Sequence, residues 1–243
     1  MSDAVFLVDA LPAPGRFVLD GPEGRHAAAV KRMRAGERLL LADGAGGLAA
    51  ATVLSAARES VELDVAAATR AAVPEPRLVV VQALPKGDRG ELAVQVMTEA
   101  GVDEIVPWQA SRCVTRWQGE RGRRSWQRWQ GIAREAAKQA RRSWLPALAD
   151  PATTGAVVTR IAGAAAAYVL HEEAVEPLAG LTPPRSGEIL LIVGPEGGVA
   201  PEELAAFEAA GARPVRLGPT VLRTSTAGVA ALAVVSAATG RWD

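Results

Sequence analysis

Two glycine-bearing segments near the C-terminal end of the chain carry residue types suited to holding a small polar ligand. The first is Gly194-Pro195-Glu196-Gly197-Gly198-Val199. It follows an apolar run at 189–193 and precedes Pro201, a residue favoured in the first turn of a helix. A strand–glycine loop–helix unit exposes backbone N–H groups and lets a ligand approach the main chain closely. The spacing matches neither G-x-G-x-x-G nor the Walker pattern. The second segment runs from Leu217-Gly218 through Leu222-Arg223-Thr224-Ser225-Thr226-Ala227 and again joins a short strand to a helix. The three hydroxyls suit a helix cap. A cap does not account for Leu222-Arg223 immediately before it.

A third constellation is electrostatic. The whole chain is neutral, with 27 Lys+Arg against 27 Asp+Glu. The stretch from Arg112 to Arg142 nevertheless holds ten Lys/Arg and two acids, Glu120 and Glu135, with Trp117, Trp126 and Trp129 interleaved. From residue 143 onward the balance reverses to six basic and ten acidic residues. With a turn of about 100° per residue, Arg128, Arg134, Lys138 and Arg142 fall within roughly 80° of Arg124 on either side, opposite Trp129, Ala133, Ala136 and Ala140. This pattern predicts an amphipathic helix over about 122–142 with an arginine-rich outer face. A solvated helix face would also look like this, but the dominance of arginine favours phosphate binding, because its planar fork takes two oxygens at once. Such contacts give affinity and register, not sequence choice.

The elements that must position these groups divide into two parts. Residues 1–72 read as a small β-barrel, with strands at 38–42, 49–54 and 60–66, a turn at Asp43-Gly44-Ala45-Gly46-Gly47, and a short helix starting near Glu23 and covering 26–33. Val73-Pro74-Glu75-Pro76 reads as a stiff linker. Residues 77–243 alternate strands (78–84, 104–107, 166–170, 189–193, 215–217) with helices (91–100, 201–210, 224–239). That alternation implies an α/β domain with a mostly parallel sheet. Residues 151–165 carry no clear pattern. One cysteine excludes an intrachain disulfide, and with two histidines it points to a metal-free, cytosolic chain. Met1 to Asp9 lacks a basic leader, and no apolar run is long enough to span a membrane.

The two C-terminal loops resemble those of the RsmE family, whose members read I-G-P-E-G-G and L-G-x-x-x-L-R-x-E-T-A. Here Ser225 stands at the glutamate position. Lys86-Gly87-Asp88, Thr98-Glu99-Ala100-Gly101-Val102, Ser111-Arg112-Cys113 and Trp129 through Ile132, Glu135-Ala136, Gln139, Arg142 and Pro146 are similar to further family segments. Val96 stands where a lysine is frequent. In the small domain His26, Val30, Arg32, Gly36 and Asp43-Gly44 match more weakly.

The resemblance implies a PUA-like barrel followed by a SPOUT domain with a deep trefoil knot, acting as a homodimer. It implies S-adenosylmethionine as cofactor, held by Leu170, His171, Glu172, Gly194, Pro195, Glu196, Gly197, Gly198, Leu217, Gly218, Leu222, Thr224, Thr226 and Ala227. The implied reaction is methylation at N3 of a uridine in 16S ribosomal RNA within the small subunit. Such a base must be unpaired or flipped, and an arginine near its oxygens would stabilise the anion as N3 loses its proton. Arg223 and Arg142 are the candidates. RNA contacts are expected from Arg16, Arg32 and Arg34 in the small domain and from Arg112, Arg116, Arg124, Arg128 and Arg134. Neither His26 nor His171 is an obvious base. The alternatives are a SPOUT ribose 2′-O-methyltransferase acting on rRNA or tRNA, and a non-catalytic RNA-binding protein.

Overall fold

A computed structural model describes residues 3–243. The chain forms two compact units, Met1–Val73 with Ala137–Leu145, and Pro74–Ala136 with Pro146–Asp243.

The first unit is built on strands β1 (Ala4–Leu7), β2 (Gly15–Leu19), β3 (Arg38–Ala42), β4 (Gly47–Ala56), β5 (Val61–Val65) and β6 (Thr69–Arg70). They form one sheet in the order β1-β3-β4-β5-β2, with β6 on β4. Among the described residues only the β1–β3 pair is parallel. The alternation that predicts β5 decides its faces: Val61, Leu63 and Val65 are buried while Asp64 is exposed. The predicted turn at Asp43 forms because its carboxylate accepts hydrogen bonds from the N–H groups of Ala45 and Gly47, both at 2.8 Å. Strands β1 and β2 carry too little alternation to be read from sequence. The helix predicted to start near Glu23 and reach residue 33 forms as α1 (Gly21–Arg25) and continues into a π-helical turn that ends at Val30.

The second unit holds β7 (Arg77–Ala83), β8 (Glu104–Trp108), β9 (Ala147–Leu148), β10 (Ala166–Leu170), β11 (Glu188–Val193) and β12 (Arg213–Val215). They pair throughout in parallel, in the order β12-β10-β11-β7-β8-β9. Continuous apolar runs such as Leu78-Val79-Val80-Val81 are buried on both faces, as a helix-covered parallel sheet requires. The helices are α2 (Arg89–Glu99), α3 (Gly119–Gln139), α4 (Thr154–Gly163), α5 (Pro201–Ala209) and α6 (Thr224–Thr239). Helix α6 lies close on α2 because Gly228 has no side chain, and a Cβ there would sit 2.6 Å from the Met97 sulfur.

Helix α3 buries Trp129, Ala133 and Ala136 as its periodicity predicts, and Arg124, Arg128 and Arg134 stay exposed. Three residues depart from that pattern. Arg142, predicted on the outer arginine face, lies beyond the helix and is half-buried. Ala140 lies beyond the helix and is exposed. Lys138, predicted on the outer arginine face, is buried with its ammonium 2.9 Å from a Glu23 carboxylate oxygen. The end of α3 belongs to the first unit, so the helix-wheel rule for a single surrounding core fails there.

At the N-terminal ends of the parallel strands, Arg160 of α4 binds Glu104 (2.7 Å) and Glu188 (2.8 Å), and Arg77 adds a contact to Glu188 at 3.2 Å. The Arg160 guanidinium, hydrogen-bonded to Glu188, holds that carboxyl below the usual range, although partial burial opposes the shift. A depressed carboxyl contributes stability above its unfolded pKa and loses it as pH falls through the folded value. Unfolding free energy is therefore expected to decline on acidification below about pH 4.3, the unperturbed glutamate value. Glu188→Gln should flatten that decline in urea titrations run across the acid range. An identical pH profile for parent and variant would remove Glu188 from the account.

Candidate active site

The parallel strands converge on one cavity at their C-terminal ends, where ligands bind in open α/β sheets. Its volume is about 690 Å³, and it is lined from the end of β10 at Leu170, of β11 at Val193 and of β12 at Val215. This is the size range of small-molecule sites.

Each loop is shaped by its own residues. After β11, Gly198 donates its N–H to Pro195 O at 2.9 Å and holds φ at +73°, a conformation that favours glycine. Gly194 is hemmed in, since a Cβ there would lie 2.9 Å from a Val199 methyl. The loop is then clamped from two sides. The Thr224 hydroxyl, at the first turn of α6, donates to Gly194 O at 2.9 Å and accepts from the buried Gln82 amide at 3.0 Å. Arg112 Nη1 donates to Gly197 O at 2.9 Å. After β10, His171 donates its backbone N–H to Val215 O at 2.9 Å, and its Nδ1 accepts from the Glu173 N–H at 3.3 Å.

Glu203 holds the Arg112 segment in place. This buried carboxylate accepts from the Ser111 N–H (2.8 Å), the Ser111 hydroxyl (3.0 Å) and the Thr154 hydroxyl (2.8 Å). A hydrogen bond to a charged group contributes about 1.5–3 kcal/mol net, and the contributions of bonds sharing one carboxylate do not simply add. Glu203→Ala is thus expected to lower unfolding free energy by roughly 2–3 kcal/mol. Urea denaturation measures this, and a loss under about 0.5 kcal/mol, the range of ordinary surface changes, would contradict it.

Of the residues expected at the cofactor, Leu170, His171, Glu172, Gly194, Pro195, Glu196, Gly197, Gly198, Leu217, Gly218, Leu222, Thr224 and Ala227 line this cavity, and so does Arg223. Thr226 does not line it, and its hydroxyl turns back to Arg223 O at 3.2 Å. Arg142 lies in the 137–145 segment of the first unit and is not among the lining residues. Arg112 and Arg116 were expected to meet RNA. Arg112 lines the cavity, whereas Arg116 is exposed and donates to Ser111 O at 3.2 Å. Arg124, Arg128 and Arg134 are exposed on α3, with Arg128 2.7 Å from Glu91. Arg16, Arg32 and Arg34 are exposed on the first unit. Sequence reasoning missed Arg89 and Arg216 at the cavity. Arg89 had a usable signal: it follows Lys86-Gly87-Asp88 at the end of β7, the segment whose Lys86 N–H Glu196 binds at 3.0 Å.

The cavity wall joins exposed backbone in the glycine loop, apolar Leu170 and Leu217, the carboxylates of Glu172 and Glu196, and the guanidinium groups of Arg89, Arg112 and Arg223. Both signs of charge beside apolar surface suit a zwitterionic ligand with a flat ring. The chain matches two family models. The family model described as RNA methyltransferase domain matches residues 73–236, and the one described as RNA methyltransferase PUA domain matches 19–66.

The chain is 47% identical to the ribosomal RNA small subunit methyltransferase E of Mycobacterium bovis, over 98% of this chain and 93% of that one. It is 28% identical to the Bacillus subtilis protein of the same name, over 90% and 89%. The structure superposes on the Neisseria gonorrhoeae ribosomal RNA small subunit methyltransferase E bound to S-adenosylmethionine, with a TM-score of 0.83 at 25% identity, covering 97% and 98% of the two chains. A Legionella pneumophila protein solved with bound cofactor SAM gives a TM-score of 0.84 at 30% identity, covering 98% of each chain. The chain belongs to the RsmE family of RNA methyltransferases.

Proposed function

We propose that this enzyme uses S-adenosylmethionine to methylate N3 of one uridine in the 16S rRNA of the small ribosomal subunit. The observation that carries this reading is the cavity at the ends of β10, β11 and β12, whose size, glycine loop and paired charges fit that cofactor. Relatives of the same family hold S-adenosylmethionine or are named for small-subunit rRNA.

The cofactor brings a methyl group on a positively charged sulfur, ready for in-line displacement. The chain's own part is positioning and charge. Gly194–Gly198 and Leu217–Ala227 orient the ligand through backbone groups, which is the larger share of catalysis for a displacement of this kind. Arg223 is exposed on the cavity wall, and its side chain makes no hydrogen bond or ion pair among the described residues. It is thus available to meet a uracil oxygen as N3 gives up its proton.

The reading extends to a homodimer with a knotted catalytic domain, working in the cytoplasm. No helix among the described residues is long and apolar enough to cross a membrane. Methylation of purified small subunits with labelled cofactor, followed by mass spectrometry of the modified nucleoside, tests the proposal. Label recovered as 3-methyluridine at one position supports it. Label on a ribose 2′-oxygen, or on no nucleoside at all, overturns it.

A further inference from the structure

The first unit contains a second, smaller cavity of about 190 Å³, lined by Asp3, His26, Lys31, Lys138, Gln139 and Arg141 among others. Its volume lies below the range of small-molecule and cofactor sites, yet it gathers three basic side chains. The acids near them leave a cationic excess. Asp3 pairs with Arg38 at 3.5 Å, and Glu23 pairs with Lys138 at 2.9 Å. Lys31 and Arg141 are exposed and line the cavity.

The backbone around this cavity departs from regular geometry in three places. Arg32, next to Lys31, has φ of +54° and Arg141 has φ of +53°; these are the only non-glycine residues in the left-handed region among the described residues. Arg141 occupies the position after a helix where glycine is the usual choice. The Arg142 N–H reaches Ala137 O at 2.9 Å and the Arg141 N–H reaches Lys138 O at 3.1 Å, the bond pair of a Schellman motif. The third departure is the π-helical turn, in which the Lys31 N–H bonds to His26 O at 2.8 Å. Its first residue, His26, and Lys31, which follows its last, both line the cavity. Strained backbone and π-turns concentrate at functional sites. Glycine would be easier to accommodate at 32 and 141, so arginine there points to a use for the charge.

We propose that this cavity holds one phosphodiester group of the RNA substrate, gripped by Lys31 and Arg141 and backed by Lys138 and His26. The proposal rests on the RNA-methyltransferase reading above and adds to it a register point on the first unit, remote in sequence from the methyl-transfer loops. The guanidinium fork and an ammonium group on a small concave surface suit two oxygens of one phosphate.

The test uses the full chain and fluorescein-labelled oligouridylate, with anisotropy measured across a salt series. The variants are Lys31→Gln, Arg141→Gly and the pair together. The double variant should bind about tenfold more weakly, with its salt slope smaller in magnitude by about 0.7, the single-strand value for one neutralised phosphate. Arg141→Gly should keep or raise the melting temperature, since glycine suits that backbone. If these cations serve only to meet helix-end carbonyls, the double variant will bind with the parent's affinity and slope, and the proposal falls. A parent chain that binds no RNA overturns both the cavity assignment and the reading beneath it. Should the double variant not fold, Lys31→Gln at its exposed position decides alone, with a weaker affinity and shallower slope expected.

Discussion

Gly197→Val is expected to raise the dissociation constant for S-adenosylmethionine more than about a hundredfold, or close to 2.7 kcal/mol. The three glycines of the loop differ in what a side chain would meet. At Gly194 a Cβ collides with Val199, and at Gly198 the +73° φ strains any L-residue, so substitutions there damage the loop itself. At Gly197 no positive φ is imposed, and a Cβ would make ordinary contact with the Arg112 stem at 3.5 Å. The fold therefore tolerates a side chain at this position. The extra methyl groups of valine would instead crowd the cavity wall and the Arg112 clamp on Gly197 O. Calorimetry with the cofactor gives the affinity, and circular dichroism gives the fold. An affinity within threefold of the parent, in a folded variant, would show that the ligand does not pass close to this stretch of backbone.

The second unit was more legible in sequence than the first, for physical reasons. Strands β10 and β11 read as short apolar runs because both faces are covered, and helix α6 reads from a long alanine-rich stretch started by Thr224. Helix α4 was not legible. Gly155, Gly163 and its β-branched residues give it weak helix propensity, and only Val157 and Ile161 are buried. Its visible signal was Thr153, whose hydroxyl accepts the Ala156 N–H at 3.3 Å as an N-cap. The first unit also recruits Ala137–Leu145 from far along the chain. A linear division at the proline-rich stretch 73–76 has no means of anticipating that return. The same cause hid the burial of Lys138.

The loop residues of the cavity were legible as a set, but the work of each was not. The three hydroxyls at 224–226 read as a cap. The cap residue of α6 is Arg223, with no side-chain capping bond, and the Thr224 hydroxyl reaches across to Gly194 O instead. That cross-loop bond joins residues thirty positions apart, so local spacing carries no trace of it. Glu203 was invisible for a similar reason: one acid in a helix first turn is ordinary, and only the fold brings Ser111 and Thr154 to it.

Arg223→Lys is expected to slow single-turnover methylation by about tenfold or more, equal to about 1.4 kcal/mol of barrier, while cofactor affinity and melting temperature stay at parent values. Two roles for this arginine make opposite demands. A tether between α6 and the glycine loop would run through Glu196. The structure gives that carboxylate other partners, the Lys86 N–H at 3.0 Å and Arg89 at 3.4 Å. The Arg223 backbone carbonyl is engaged, accepting the N–H groups of Thr226 and Ala227 at 2.9 Å, but its guanidinium is exposed on the cavity wall without a protein partner among the described residues. A side chain so placed contributes little to stability, within about 0.5 kcal/mol. Its charge is instead free to act on a bound base. Lysine preserves the charge and loses the planar, two-pronged donor geometry, so a role at the uracil oxygens predicts a slower chemical step with an unchanged fold. Rapid-quench methylation under enzyme excess reads that step directly. A fall in melting temperature together with cofactor affinity would restore the tether. A normal rate with normal stability would exclude both roles for Arg223.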